Sequence, residues 1–456
     1  MPDIARERVE SWRSRMQAEL QQNVVPFWMQ HSLDRENGGY FNCLDRDGRR
    51  FDTKKHVWLQ GRQVWMLSKL CGADPSHADP SRADPSRADP SRADPSRADL
   101  SRADLSRADL SRADSSRVEP SRAEPSRAEP SRADLLDAAT LGARFLREHA
   151  RREDDRVYFS LTRAGAPLAL QRKIFAECFY VLAFAEYARA SGDDSYRELA
   201  LSELDAILRW IDDPTPLGRP RLRGQIATSE LAVPMILLNL VSEVRGAPGS
   251  PTFRDREDYD RIEARCVASI RRHFDRERGL VFETIGADGS RLDSPEGRLI
   301  NPGHVIECGW FLLDHARRVQ DRELTRDALA MIDGALELGW DREHGGILYF
   351  LDSEGFSPQQ LEWSMKLWWP HCEALVALLM AWRETGEARW FERFETVADW
   401  TFDHFPDPAF GEWFGYLDRR GVVSQRFKGG PYKGCFHVPR ALFLCERELR
   451  AALELH

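Results

Sequence analysis

The chain is 456 residues long and 42% hydrophobic, enough to bury a large core, and 74 acidic against 65 basic residues leave a formal charge of -9. With no basic block outside one repeat, that balance excludes nucleic acid as a natural partner. The longest apolar stretch, residues 231 to 241, is about half of what spans a bilayer and contains Pro234 and Asn239, which excludes a membrane span.

The opening MPDIARERVESWRSRMQAELQQ is charged every few residues and has no apolar signal-peptide core, so it is predicted to be an amphipathic helix. Eight cysteines without a C-x-x-C pair fit free thiols in a reducing compartment, and a cytoplasmic protein is expected. At Leu33 stands LDRENGGYFNCLDRDG, followed by HVWLQGRQVWM from His56 to Met66. Residues 73 to 132 are twelve tandem pentapeptides of the ADPSR type, drifting to ADLSR and AEPSR. A period of five matches neither helix nor strand, and the segment lacks the apolar surface to offset its ordering entropy. It is therefore predicted to be a disordered linker interrupting a single domain over 1–456.

Beyond the insert the Leu33 pattern returns, as FDRERGLVFETIGADG from Phe274, WDREHGGILYFLDSEG from Trp340 and FPDPAFGEWFGYLDRRG from Phe405, with looser copies from Arg152 and Ile211. Asp275, Asp341 and Asp407 are 66 residues apart each time, and Asp34 to Asp154 is 120, or 60 once the insert is removed. Between copies lie segments of helical period such as AECFYVLAFAEYARA and CEALVALLMAWRETG. Six units of about 60 residues, each two helices and a short hairpin, predict an all-α (α/α)6 barrel: a toroid of six helical hairpins with short β-hairpins at one end. An open solenoid is the alternative. The helices are apolar over much of their circumference, as an inner ring packed in an outer ring requires, and this favours closure.

Titratable residues gather in NPGHVIECGW (Asn301 to Trp310), LEWSMKLWWPHCEAL (Leu361 to Leu375) and KGGPYKGCFHVPR (Lys428 to Arg440). His304 and His437 start helices two units apart, so their rings can converge on a central pocket. Glu307 lies one turn after His304 on the same helix face. A metal reading of His304-x-x-Glu307 lacks a third ligand of matching spacing, and no metal is expected. The Lys428 to Gly434 run lacks P-loop order, so phosphate binding there is only a guess.

Apart from the insert, nearly the whole chain resembles the N-acylglucosamine 2-epimerase (renin-binding protein) family, on the strings VWLQGRQVWM, QLEWSMKLWWPH, FGEWFGYLDRRG and KGGPYKGCFHVPR. The resemblance implies His304 and His437 as the catalytic pair and Arg62, Glu307, Glu373 and Arg440 as substrate-binding residues. His371 and Trp369 are expected to join them, since aromatic faces suit sugar rings. It also implies a homodimer, interconversion of N-acetylglucosamine and N-acetylmannosamine, ATP as an activator that is not consumed, and renin as a binding partner. Two histidines suit proton transfer at C2 of the open-chain sugar, because neutral and charged imidazole coexist near pH 7. The competing readings are an aldose-ketose isomerase, an (α/α)6 glycosidase with paired carboxylates, and a non-enzymatic renin-binding inhibitor.

Overall fold

The computed structural model describes residues 4–72, 129–220, 224–246 and 255–454. The linker predicted over 73–132 lies outside the described residues except at its end, where the last pentapeptide feeds the barrel. Ser131 caps helix Arg132–His149, its hydroxyl accepting from the Asp134 amide while the Asp134 carboxylate accepts from the Ser131 amide.

The helices alternate between an outer and an inner ring. The outer positions are α1 (Arg6–Ala18) continued through a π-helical turn into α2 (Val25–His31), then α4 (Arg132–His149), α6 (Asp194–Asp212), α8 (Arg256–His273), α10 (Arg322–Gly339) and α12 (Ala388–His404). The inner positions are α3 (Val57–Gly72), α5 (Phe175–Ser191), α7 (Ala232–Arg245), α9 (Pro302–Val319), α11 (Trp368–Thr385) and α13 (His437–Glu454). Inner helices are apolar on several faces because they have neighbours on several sides: α11 is buried from Trp368 to Trp382 without a break. Outer α12 buries one stripe, Trp390, Phe391, Phe394, Val397, Ala398, Thr401 and Phe402.

Each inner helix packs on the next, α3 on α5 through to α11 on α13, and on the outer helix beside it. The ring closes where α1 packs on α13. There Arg13 pairs with Glu446 at 3.0 Å, and the Trp12 indole donates to Glu395 at 3.2 Å. The toroid is thus closed, not an open solenoid, and the (α/α)6 expectation holds.

The repeated loops join outer helix to inner helix, so they all sit at one end, with the inner-helix N-termini. Their register recurs: Leu33 bridges Tyr40, Arg151 bridges Val157, Phe274 pairs with Val281, Trp340 bridges Ile347 and Pro406 bridges Trp413. The loose copy at Ile211 departs from the pattern. Strand Thr228–Glu230 there pairs with Thr284–Gly286 of the following unit instead of folding back on its own loop.

Three of the leading aspartates work as latches between neighbouring units. Asp34 accepts from buried Lys55 at 3.0 Å and from Arg163 of the next loop at 2.9 Å. Asp341 does the same with Lys366 and Arg419, each at 3.0 Å. Asp407 holds Lys428 at 3.1 Å and Arg46 at 2.6 Å, and because Arg46 belongs to the first unit, this latch fastens the last unit to it. Burial alone would raise these carboxyls, but the paired cations overcome it and hold all three below the usual range.

Candidate active site

With every inner helix starting at the loop end, the partial positive charges of six N-termini face the barrel mouth. A cavity of about 810 Å³ there is lined by Arg62, His304, Glu307, Trp369 and His437, among others. A neighbouring one of about 760 Å³ shares Arg62, His304 and Glu307 and reaches Arg440. Five of the predicted site residues therefore meet in one space, and Arg440 lines the neighbouring one.

In NPGH, Asn301 caps α9 by accepting from the His304 amide at 3.2 Å, and Pro302 occupies the first turn, where a missing amide proton does no harm. Gly303 is needed because a Cβ there would come within 2.6 Å of the Trp369 ring. Trp369 is thereby free to lie between the two histidines, its ring centroid 5.2 Å from His304 and 5.9 Å from His437.

Each histidine has its Nδ1 against a carboxylate. His304 Nδ1 lies 3.1 and 3.0 Å from the two oxygens of Glu283, and His437 Nδ1 lies 2.7 Å from Glu373 Oε1. With Nδ1 so engaged, Nε2 is the nitrogen left for the cavity. Burial opposes charge on His304, but Glu283 and then Glu307 outweigh it and raise its pKa above the ordinary histidine value. Burial lowers His437 well below that value, helped by the nearby Arg62 and Arg440 guanidiniums, so the Glu373 contact is that of a neutral ring donating its Nδ1–H.

Arg440 Nη2 donates to Glu307 and to Glu373, both at 2.7 Å. Ligand atoms of Glu307, Glu373 and His437 do lie within 4.8 Å of one another, a third ligand that spacing along the chain did not suggest. The cation those two carboxylates hold is the Arg440 guanidinium. Arg62 is less committed: its Nε is buried without a hydrogen-bond partner, and its guanidinium rests over the Trp58, Phe179 and Phe436 rings at 4.5, 4.1 and 4.7 Å. Burial, the largest influence, brings its pKa down to about 9, still charged at neutral pH.

Two expectations need correction. His371 does not reach the cavity: its Nε2 accepts from the Ile347 amide at 2.9 Å, its Nδ1 is 2.7 Å from the Leu367 carbonyl, and its ring stacks on Trp400. Two residues on from Trp369, it has turned about 200° around the helix and faces the outer ring. Burial presses its pKa down to about 3, a neutral ring that ties a loop to a helix. Glu373, 1% exposed, lines neither cavity; it stands behind His437 and Arg440 and pairs with both. Nor does the Lys428 to Gly434 run offer a phosphate cradle. Lys428 and Lys433 are fully buried, the first on Asp407 and the second on Glu412 at 2.8 Å.

Sequence reasoning missed Glu283. It follows the bridging residue Val281 by two, and the residues at the same place in two other loops, Phe159 and Tyr349, also line the mouth. That repeat position was the available signal.

Solved structures match this architecture over nearly its whole length. Cellobiose 2-epimerase from Spirochaeta thermophila gives a TM-score of 0.72 at 19% identity, covering 99% of this chain and 100% of that one. D-mannose isomerase gives 0.69 at 15% identity, with coverage of 99% and 100%. The fold is that of the (α/α)6-barrel sugar epimerases and isomerases. The sequence is more specific: residues 126–441 match the family model for N-acylglucosamine 2-epimerase (GlcNAc 2-epimerase). The chain is also 40% identical to the N-acylglucosamine 2-epimerase of Rattus norvegicus and 41% to that of Homo sapiens, over 98% of its own length and 94% and 92% of theirs. It belongs to the N-acylglucosamine 2-epimerase family, and it is an enzyme of the isomerase class. A second family model, pentapeptide repeats in eight copies, matches residues 81–114.

Proposed function

We propose that this protein interconverts N-acetyl-D-glucosamine and N-acetyl-D-mannosamine by moving the proton at C2 of the open-chain sugar. The observation that carries the reading is the pair of imidazoles at one mouth, each with Nδ1 on a carboxylate and Nε2 left for the cavity. Opening the ring exposes the C1 aldehyde, which acidifies the C2–H. One imidazole takes that proton, the C–H electron pair moves into a C1–C2 double bond, and the carbonyl oxygen becomes an enolate. The other imidazole returns a proton to the opposite face and the carbonyl reforms, inverted at C2. The imidazole that took the proton becomes cationic, and the enolate oxygen carries the new negative charge. Arg62, with a buried donor unused, is the group suited to stabilise it, whereas Arg440 is committed to Glu307 and Glu373. Trp369 offers its face to the sugar chain between the two rings.

ATP as an activator that is not consumed, a homodimer and renin as a second partner rest on the family resemblance alone, and a cytoplasmic address rests on the eight free cysteines. The Lys428 to Gly434 run does not fit nucleotide phosphates, and no step above passes through ATP. Among the described residues no helix is long and apolar enough to cross a membrane. The test is turnover of N-acetylmannosamine in deuterium oxide. The N-acetylglucosamine formed should carry deuterium at C2. Full retention of the original hydrogen would refute proton transfer, and conversion of mannose, whose C2 bears a hydroxyl, into a ketose labelled at C1, with N-acetylmannosamine left unchanged, would make the enzyme an aldose-ketose isomerase.

A further inference from the structure

The two imidazole-carboxylate pairs are not equivalent. Glu373 gives Oε1 to Arg440 as well as to His437, each at 2.7 Å, and Oε2 to the Trp310 indole at 2.9 Å, so a guanidinium already balances its charge. Glu283 has no such partner: among the described residues no lysine or arginine pairs with it, and both of its oxygens lie within 3.1 Å of His304 Nδ1. Glu283 is held in place through its backbone, its amide donating to the Leu299 carbonyl at 3.3 Å and its carbonyl accepting from the Leu231 amide at 2.9 Å. The titratable and charged groups that share the cavities with His304 include Glu283 from the loop, Glu307 one turn along α9, Lys173 from the segment before α5 with its partner Glu230, Glu296, Tyr349 and Glu362 on the walls, and Arg62 and His437 across the mouth. Those around His437 include two guanidiniums.

We propose that Glu283 is a positioning residue that holds His304 as an imidazolium with Nε2–H aimed at the cavity, so that the resting enzyme carries one acid, His304, and one base, His437. This rests on the epimerisation reading above and deepens it. A catalyst with two neutral histidines would have a base on each face and no proton ready to deliver. Here a neutral His437 takes the C2 proton and His304 gives up its Nε2 proton to the other face. The enzyme is left with the charges exchanged, and proton exchange with solvent restores the starting pair. The raised pKa of His304 and the lowered pKa of His437 agree with this division.

The test pairs kinetics with a direct view of the rings in the full-length protein. With histidine nitrogens labelled, NMR titration of wild type, identified against His304→Asn and His437→Asn, should show His304 still protonated at a pH where an ordinary histidine is half neutral, and His437 already neutral. Glu283→Gln keeps an acceptor for Nδ1–H but removes the charge. In that variant the His304 titration and the alkaline limb of the kcat/KM profile should both move to lower pH, by about one unit or more, and Glu283→Asp should restore much of both. A merely structural Glu283 would change amplitude without moving either curve. A wild-type His304 that is neutral at pH 7, or a Glu283→Gln titration superposing on wild type, overturns the proposal whether or not the sugar is epimerised. If instead His304 titrates as described but no N-acyl hexosamine turns over, the charge assignment stands and the substrate reading fails.

Discussion

Glu373→Gln is the substitution from which this site predicts most. The carboxylate is 1% exposed and accepts three hydrogen bonds, from Arg440, His437 and Trp310. A glutamine has one acceptor oxygen. If that oxygen faces Arg440 and His437, the amide NH2 is turned against the Trp310 N–H. If it faces Trp310, the NH2 opposes the Arg440 guanidinium and forces His437 to accept at Nδ1, moving its proton to Nε2. The second arrangement removes the base, since Nε2 is the nitrogen facing substrate. Wrong-tautomer substitutions of a histidine's carboxylate partner lower kcat about 10⁴-fold in the serine-protease triad, and a loss between about 10² and 10⁴ with little change in KM is expected here. Stability should fall too, because Arg440 keeps only Glu307 as counter-charge. Breaking a buried pair outright costs about 3–5 kcal/mol, so a loss of about half that is expected with one carboxylate left. Initial rates with N-acetylmannosamine, alongside thermal unfolding, read both effects. A folded Glu373→Gln enzyme with kcat within about tenfold of wild type would show that Glu373 does not set the His437 tautomer.

His304→Asn and His437→Asn should each abolish net epimerisation. In deuterium oxide, however, His304→Asn should still exchange C2–H of one epimer through neutral His437, without inversion, while His437→Asn should exchange that of the other epimer only on the alkaline side, where His304 has lost its proton; loss of all exchange in both at every pH would contradict proton transfer by either ring. Asp407→Asn leaves fully buried Lys428 without its carboxylate and should cost about 3–5 kcal/mol in urea unfolding, while Arg46→Ala, at the exposed edge of the same latch, should cost about 1 kcal/mol or less; equal losses would refute the ranking. The three latch aspartates, all with lowered pKa, stabilise the ring above about pH 4, and that contribution drains away as pH falls toward their folded values. Removing residues 74 to 128 while keeping Ser131 should leave turnover within about a factor of two, whereas Ser131→Ala should cost about 1 kcal/mol; a soluble deletion protein without activity would give the repeat a part in the site.

What the sequence disclosed, and what it hid, follows from the range of the interactions involved. The D-x-E-x-G loops are local, so their spacing revealed the six-fold repeat, and helix-start signals in NPGH and CFHVPR placed His304 and His437 at the mouth. Pairing across units leaves no local trace. Thr228–Glu230 pairs with a strand over 50 residues away, which is why the Ile211 copy looks like a poor hairpin. Direction around a helix was the other blind spot. His371 and Trp369 are neighbours in sequence but face opposite ways, and only the packing of α11 decides which one meets the cavity. Glu283 was hidden because a glutamate in an alternating loop segment looks solvent-facing until the helix bearing His304 is laid beside it.

The closure of the ring has a consequence for how its chain can be cut. Arg6 in α1 comes within 3.5 Å of the Leu453 carbonyl in α13, so the two extremes of the described chain are already neighbours. The connection between α3 and α4, meanwhile, accommodates some sixty residues of pentapeptide without disturbing either helix. A circle does not record where its thread begins. A short bridge from α13 to α1, with a new start and finish placed inside the pentapeptides, would give a permuted protein that begins at α4 and ends at α3. In such a chain His304 and His437 would be synthesised long before Arg62, so the mouth would receive its free guanidinium last instead of first.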